Sequence, residues 1–239
     1  MRKWVLITPH QGLGDHLLCT GIYREYSRKY GRVFITASRN YYLELTSLLG
    51  DLHNITFIVL PTNHLLRSTR LTQRVARLFR IRVTGLGGYG EGFLESDMRF
   101  DHNFYHQAEI DFECRWTSFS APRNIEKEEN LFRFLNCGEA PYIFIHEDKP
   151  RNFIINRKLL PTDVRIIEPI ANRKIYNLVD YRKVIEGAIE IHVIESSFAA
   201  YIESLFTTMP LFAHRYARPE AIKDYRYEFT YKKLWEIFN

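Results

Sequence analysis

The amino-acid sequence predicts an α/β protein built as two Rossmann-like halves, each with a mainly parallel sheet, and with a cleft where the halves meet. Three observations carry that expectation. Short apolar runs rich in β-branched residues alternate with longer stretches of helical period. The alternation breaks at a cluster of turn residues, Asn136-Cys137-Gly138-Glu139-Ala140-Pro141, and then resumes, which places one half at residues 1–138 and the other at 139–239. Finally, 239 residues with 46% hydrophobic and 15% aromatic content can bury a sizeable core, so disorder as the overall state is excluded.

Residues 4–8 form the first apolar run, and 16–30 follow as an amphipathic helix with Leu17, Leu18, Ile22 and Tyr26 near helical spacing. A second strand is read at 33–37, a helix at 40–49, and a β-branched strand at 55–60 that Pro61 stops. Beyond it come an arginine-rich stretch and a glycine cluster, Gly85, Gly87, Gly88, Gly90 and Gly92, which reads as a mobile loop. A helix over 105–119 and a closing segment at 131–135 complete this half. The second half repeats the scheme, with strands at 142–145, 164–167, 189–194 and 211–213, helices at 181–188 and 197–206, and an aromatic-rich closing helix at 225–238.

No apolar run approaches the roughly 20 residues of a bilayer span, and the opening through His10 reads as a first strand rather than a signal peptide. Cys19, Cys114 and Cys137 stand far apart and form no Cys-x-x-Cys pair, which argues against a zinc knuckle or a disulfide framework and for a reducing, cytoplasmic compartment. The net charge of +5 favours anionic partners, whether nucleoside diphosphates, anionic lipid or nucleic acid.

The loop His10-Gln11-Gly12-Leu13-Gly14-Asp15-His16 joins the first strand to the first helix, where open parallel sheets place their ligands. Gly12 and Gly14 let a ligand approach the backbone closely. Asp15 has two readings at this place: an N-cap for the helix that follows, or a carboxylate that deprotonates an acceptor hydroxyl.

From the first strand through Gly12-Leu13-Gly14-Asp15-His16-Leu17-Leu18-Cys19-Thr20 the sequence resembles the opening of the heptosyltransferase-like GT-B glycosyltransferases. The resemblance implies a general-base role for Asp15. That family often has proline after the threonine, and here Gly21 follows Thr20.

In the second half, Glu190-Ile191-His192-Val193-Ile194-Glu195-Ser196-Ser197 reads as strand, polar turn and helix start. The serines serve either as caps alone or as part of an anion site made with the helix amides. GT-B donor domains resemble this segment in setting a small-residue turn beneath the nucleotide-sugar phosphates, which implies donor contacts for Glu195, Ser196 and Ser197. The run Tyr142-Ile143-Phe144-Ile145-His146-Glu147-Asp148-Lys149-Pro150-Arg151 brings His146, Lys149 and Arg151 to a strand's end, and is similar in kind to the His-x-Arg loops of fucosyltransferase-like enzymes. A guanidinium there can grip a diphosphate bidentately, although solvated surface charges and a half-buried histidine explain the same residues. Glu147 and Asp148 beside His146 do not make a metal site on a strand, because neighbours point to opposite faces, and no Asp-x-Asp motif is present.

Arg67, Arg70, Arg74 and Arg77 would line one helical face, with Leu71, Val75 and Leu78 on another. Such a helix suits anionic lipid headgroups or a phosphorylated acceptor better than nucleic acid, and plain solubility also accounts for it. Between Asn103 and Phe112, aromatic and hydrogen-bonding groups mix as in sugar sites or in a core, and His106 and Glu109 join Gly12, Gly14 and His16 as acceptor-side candidates.

Together these readings describe a metal-independent transfer from a nucleoside-diphosphate sugar to the hydroxyl of an acceptor, residues 1–138 serving the acceptor and 139–239 the donor, with no cofactor beyond that donor; inversion is what the resemblance implies. Asp15 takes the acceptor's proton, and Arg151 with the Ser196 turn stabilises the leaving diphosphate. A non-catalytic nucleotide- or glycan-binding module of the same fold is the rival from another class, and a nucleic-acid-associated protein is a second.

Overall fold

The computed structural model describes residues 3–10, 12–92, 97–170, 175–218 and 224–239. It divides into two compact units, Met1–Pro122 and Arg123–Asn239.

In the first unit, β1 (Trp4–Thr8), β2 (Arg32–Ser38), β3 (Ile55–Leu60) and β4 (Arg82–Gly85) form a parallel sheet in the order β3-β2-β1-β4. Val5, Leu6 and Ile7 in β1 are all fully buried, as a continuous apolar run must be when a strand is covered on both faces. The helices are α1 (Leu13–Leu18), α2 (Thr20–Lys29), α3 (Tyr42–Leu48), α4 (Leu65–Leu78), α5 (Phe100–Ala108) and α6 (Cys114–Thr117). Two hydrogen bonds identify the sides of the sheet. Thr8 accepts from Gln73 of α4 at 2.6 Å, whereas the hydroxyls of Thr84 and Tyr26 of α2 meet at 3.2 Å. Thr84 pairs with Ile7, one pleat out of step with Thr8, so α4 and α2 cover opposite faces.

Three expectations change in this unit. The single helix over 16–30 is two helices meeting at Cys19. The one over 105–119 is also two, because Glu109 adopts φ 55° and ends α5. The glycine cluster contains an ordered turn. Its first residue ends β4, and Gly87 donates to the Gln107 side chain at 2.7 Å. A Cβ on Gly85 would lie 1.9 Å from the Tyr89 carbonyl oxygen, so the glycines permit a tightly folded turn.

Polar groups taken out of water fasten α5 to the end of α1 and to α6. Tyr105 donates to the Leu18 carbonyl at 2.9 Å, and the fully buried Asp101 and Arg115 pair at 2.6 Å, with the guanidinium 4.9 Å from the centre of the Trp116 ring.

The second unit holds β5 (Tyr142–His146), β6 (Arg165–Ile167), β7 (Glu190–Val193), β8 (Leu211–His214) and β9 (Trp235–Phe238), parallel in the order β6-β5-β7-β8-β9. Its helices are α7 (Ile125–Phe134), α8 (Arg182–Glu186) and α9 (Ser197–Ser204). α7 starts at an Asn124 cap, and Arg123 just before it pairs with Glu128 and Glu186, so this helix belongs to the second unit although the turn cluster after it suggested the first. The closing helix over 225–238 is instead an extended approach to β9. Glu203 accepts from the Lys232 amide and from the Trp235 indole, each at 2.7 Å, and holds the chain alongside β8, where Phe238 stacks on Phe212. An aromatic-rich segment serves a strand as well as a helix, and the open edge of β8 decides between them.

Across one face of this sheet runs a buried polar line: Glu190 to His192 at 3.1 Å, His192 to His214 at 3.0 Å, and His214 to the Tyr216 hydroxyl at 3.2 Å. Among the described residues no helix is long and apolar enough to cross a membrane.

Gly21 shows why glycine follows Thr20. A Cβ there would lie 2.1 Å from the Cys114 carbonyl oxygen and 2.6 Å from the Tyr105 hydroxyl. Gly21→Ala should therefore lower unfolding stability by about 1–3 kcal/mol in urea titration, while Gly88→Ala, whose Cβ meets nothing within 4 Å, should stay within about 0.5 kcal/mol. Equal effects of the two substitutions would contradict the packing of α6 on α2.

Candidate functional site

β1 delivers the chain to its carboxyl-end edge and Gly12 starts α1, with φ −78° and ψ 148°. Asp15 is the third residue of that helix rather than its N-cap. Its Oδ2 accepts from the Gly12 amide at 3.1 Å and pairs with His10 Nδ1 at 2.7 Å, while Oδ1 takes no bond among the described residues. A Cβ on Gly12 would lie 2.6 Å from Oδ2, so only glycine lets the carboxylate close on the backbone here. Gly14 is half-buried in the first turn.

His10 is a site residue that the sequence reading passed over. Its side chain keeps 54% of its surface exposed, and the hydrogen bond to Asp15 holds its pKa above the ordinary histidine value. The Gly87 turn packs against it: a Cβ on Gly87 would lie 3.2 Å from His10 Cβ. The only sequence signal was a histidine five positions before the aspartate of the same loop.

The structure places the other three acceptor-side candidates apart from Asp15's pairing with His10 and Gly12. His16 is buried, with Nδ1 2.9 Å from the Tyr23 hydroxyl, and burial lowers its pKa to about 4. It is a neutral core group. Glu109 pairs with Arg82 at 3.0 Å. Because Arg82 lies beside Val5 and Gly85 beside Thr8, that pair sits at the opposite edge of the sheet from Asp15. His106 is exposed near the same end of α5. Chain proximity to the aromatic run suggested a shared site, but α5 runs away from the loop edge.

In the second unit, β5 and β7 bring His146 and Ser196 together, with Nδ1 3.0 Å from the hydroxyl and the imidazole 4.5 Å from the Phe198 ring. Ser196 is the N-cap of α9 by position, yet its side chain makes no capping bond and turns to His146 instead. Ser197 is the first helical residue. The other three donor-side residues are already engaged. Arg151 Nε donates to Asp148 at 2.7 Å, Lys149 pairs with Glu168, and Glu195 is buried against Arg215 at 3.1 Å. Burial alone would raise the Asp148 carboxyl, and Arg151's bonds and charge bring it below the ordinary value. Glu195 is raised by burial, with Arg215 opposing. Its carboxylate also accepts from the Phe229 amide, which makes it an anchor of the chain leading to β9 rather than a donor contact. Glu147 likewise serves the fold, accepting from Ile155 N at 2.6 Å and from both ends of the Arg157 guanidinium. Among the described residues no group of three or more His, Cys, Asp or Glu is placed to hold a metal ion.

No protein-family model matches the chain, and no curated protein matches it. Solved structures do. The bacterial iron-containing dodecameric glycosyltransferase TibC from enterotoxigenic E. coli H10407 is 14% identical over all of this chain, with a TM-score of 0.52. This chain spans 62% of TibC's length. The glycosyl transferase family 9 structure from Veillonella parvula DSM 2008 is 10% identical, covering 89% of this chain and 80% of that one with a TM-score of 0.54. The E. coli ADP-heptose lps heptosyltransferase II is 13% identical, covering 89% and 84% with a TM-score of 0.51. At such identities the likeness shows a shared fold.

Two predictions follow from the imidazoles. His10 should titrate above 6.5 in the native protein and fall back toward 6.5 in Asp15→Asn, read by NMR of the ring protons. An unmoved titration would mean that the pair does not exist in solution. His16, His192 and His214 all have pKa values lowered by burial, the first and last to about 4. The unfolded chain takes up their protons at about 6.5 and the native protein does not. Stability is therefore full above about pH 6.5 and falls as pH drops from there toward 4, by up to about 3 kcal/mol for each of His16 and His214. The raised His10 works in the other direction, its share being lost as pH rises through its native value. Urea midpoints at pH 7, 6 and 5 should decline in that order, and a flat series would refute the buried neutral imidazoles.

Proposed function

We propose that this protein is a glycosyltransferase that moves a sugar from a nucleoside-diphosphate sugar to a hydroxyl of a glycan or phosphorylated acceptor, with inversion, without a metal ion and with no cofactor beyond the donor. The observation that carries the proposal is the half-buried Asp15 carboxylate at the exit of β1, fixed through Oδ2 by Gly12 and His10, with Oδ1 taking no bond among the described residues. The heptosyltransferase-like sequence of that loop and the glycosyltransferase fold support the same reading.

In this mechanism Oδ1 takes the acceptor's hydroxyl proton as the acceptor oxygen bonds the anomeric carbon. The bond from that carbon to the diphosphate oxygen breaks, and its electron pair leaves with the nucleoside diphosphate. Fixing the carboxylate beforehand removes the cost of orienting it during reaction. In the second unit the leaving charge falls to the α9 amides, which no side chain caps, with His146 and Ser196 beside them. Arg151 contributes by exchanging Asp148 for phosphate. An exposed ion pair of that kind is worth about 0–1 kcal/mol, so the exchange is easy. A cytoplasmic setting fits the free thiols of Cys19, Cys114 and Cys137.

The 2.7 Å bond to His10 favours one second reading, in which His10 is the base and Asp15 orients it. Asp15→Asn should reduce turnover by roughly 100-fold or more while donor affinity stays within about twofold, measured with a panel of nucleotide sugars and calorimetry. Arg151→Ala should weaken nucleoside-diphosphate binding instead. If His10→Ala matches the loss in Asp15→Asn, His10 is the base. If Asp15→Asn turns over at the wild-type rate, or shows a lower melting temperature and nothing else, neither assignment survives.

A further inference from the structure

The sequence places Leu71, Val75 and Leu78 on their own face of α4, and an apolar helical face is ordinarily the one that packs inward. The structure reverses this. The face turned to the sheet consists of Thr69, Gln73 and Ala76, all buried, with Gln73 donating to Thr8 at 2.6 Å and to the Tyr89 carbonyl at 3.2 Å. Leu71, Val75 and Leu78 each lie two residues later, about 200° round the helix, and so point straight away from the protein. Their exposures are 60%, 42% and 82%, and Phe79 just beyond the helix is 75% exposed. Arg70, Arg74 and Arg77 lie one residue after the buried positions, about 100° round, and Arg67 shares their flank. All four are exposed, and among the described residues none meets a carboxylate. From Pro61 to Gly90 the sequence has no Asp or Glu at all.

We propose that this outward face of α4 docks on an anionic lipid bilayer, with Leu71, Val75, Leu78 and Phe79 entering the boundary between headgroups and acyl chains and the arginines gripping headgroup phosphates. Exposed leucines would be a liability in a helix meant only to be soluble, and they add nothing on a nucleic-acid backbone, which the arginines alone would serve. A second copy of the same face is also excluded as the occupant, because it would set two unpaired arginine rows against each other. An anionic bilayer answers both the charge and the apolar stripe. The helix lies in the plane of the membrane and does not cross it.

The test floats the full chain with vesicles of phosphatidylcholine mixed with phosphatidylglycerol, and separately with phosphatidylcholine alone. The protein should rise with the mixed vesicles and not with the neutral ones, and added salt should weaken the association. Leu71→Gln with Leu78→Gln should reduce binding by roughly tenfold or more, through lost apolar burial. Arg70→Glu with Arg74→Glu should do so by a similar factor, through lost attraction to the headgroups. These side chains are exposed, so melting temperatures should stay near wild type, and Leu71→Ala with Leu78→Ala serves as the second variant if glutamine proves unstable. Equal recovery with neutral and mixed vesicles overturns the proposal. So does a leucine variant that binds like wild type, which would make the surface a general polyanion site, and so does a wild-type dimer that the leucine variant dissociates.

Discussion

The contact between Asp15 and the Gly12 backbone sets the terms for the first unit's loop edge. A capping box needs a side chain long enough to reach back to the N-cap amide, and Asp15 manages it only because Gly12 has no Cβ to hold it off. The same oxygen that satisfies the amide also holds His10. Behind it, β1 is buried on both faces and fixed between β2 and β4, so the loop is carried on one of the two central strands of its sheet. Capping and the proposed chemistry are not competing descriptions of Asp15, since the bond that caps the helix start also orients the carboxylate.

Polar groups do different work in the second unit. Its carboxylates are mostly committed to neighbours: Glu147 to Arg157 and a backbone amide, Glu195 to Arg215, Glu203 to the amides and indole that bring in β9. Short strands of three to five residues give this sheet little ladder to rely on, and the buried charges tie its long connections down. The α9 amides take no side-chain cap, and the His146 and Ser196 pair lies next to them.

Much of the fold was legible in the sequence where burial imposes a clear period. β1, β2, β3, β5, β7 and β8 are apolar runs bounded by turn residues, and each appears within a residue or two of its expected place. β4 was hidden because Arg82-Val83-Thr84-Gly85 carries one strongly apolar residue and ends in the glycine cluster; its strand character comes from pairing with β1. β9 was hidden because aromatic content does not separate helix from strand; the α4 helix was legible, but not which of its faces is turned inward, because hydrophobic period identifies a helix without orienting it. At the site, the glycine and aspartate spacing pointed to the loop, but pairings such as Arg151 with Asp148 or Arg82 with Glu109 depend on where exposed side chains fall and leave no pattern in sequence.

The Asp101 and Arg115 pair carries a consequence for how the first unit comes apart. Each charge is tolerable out of water only while the other is present, and stranding one costs about 3–5 kcal/mol. α5 and α6 therefore cannot peel from α2 one after the other. Residues 100–117 leave or arrive together, which makes them a single cooperative block in native-state hydrogen exchange, with amide protection across both short helices rising and falling as one.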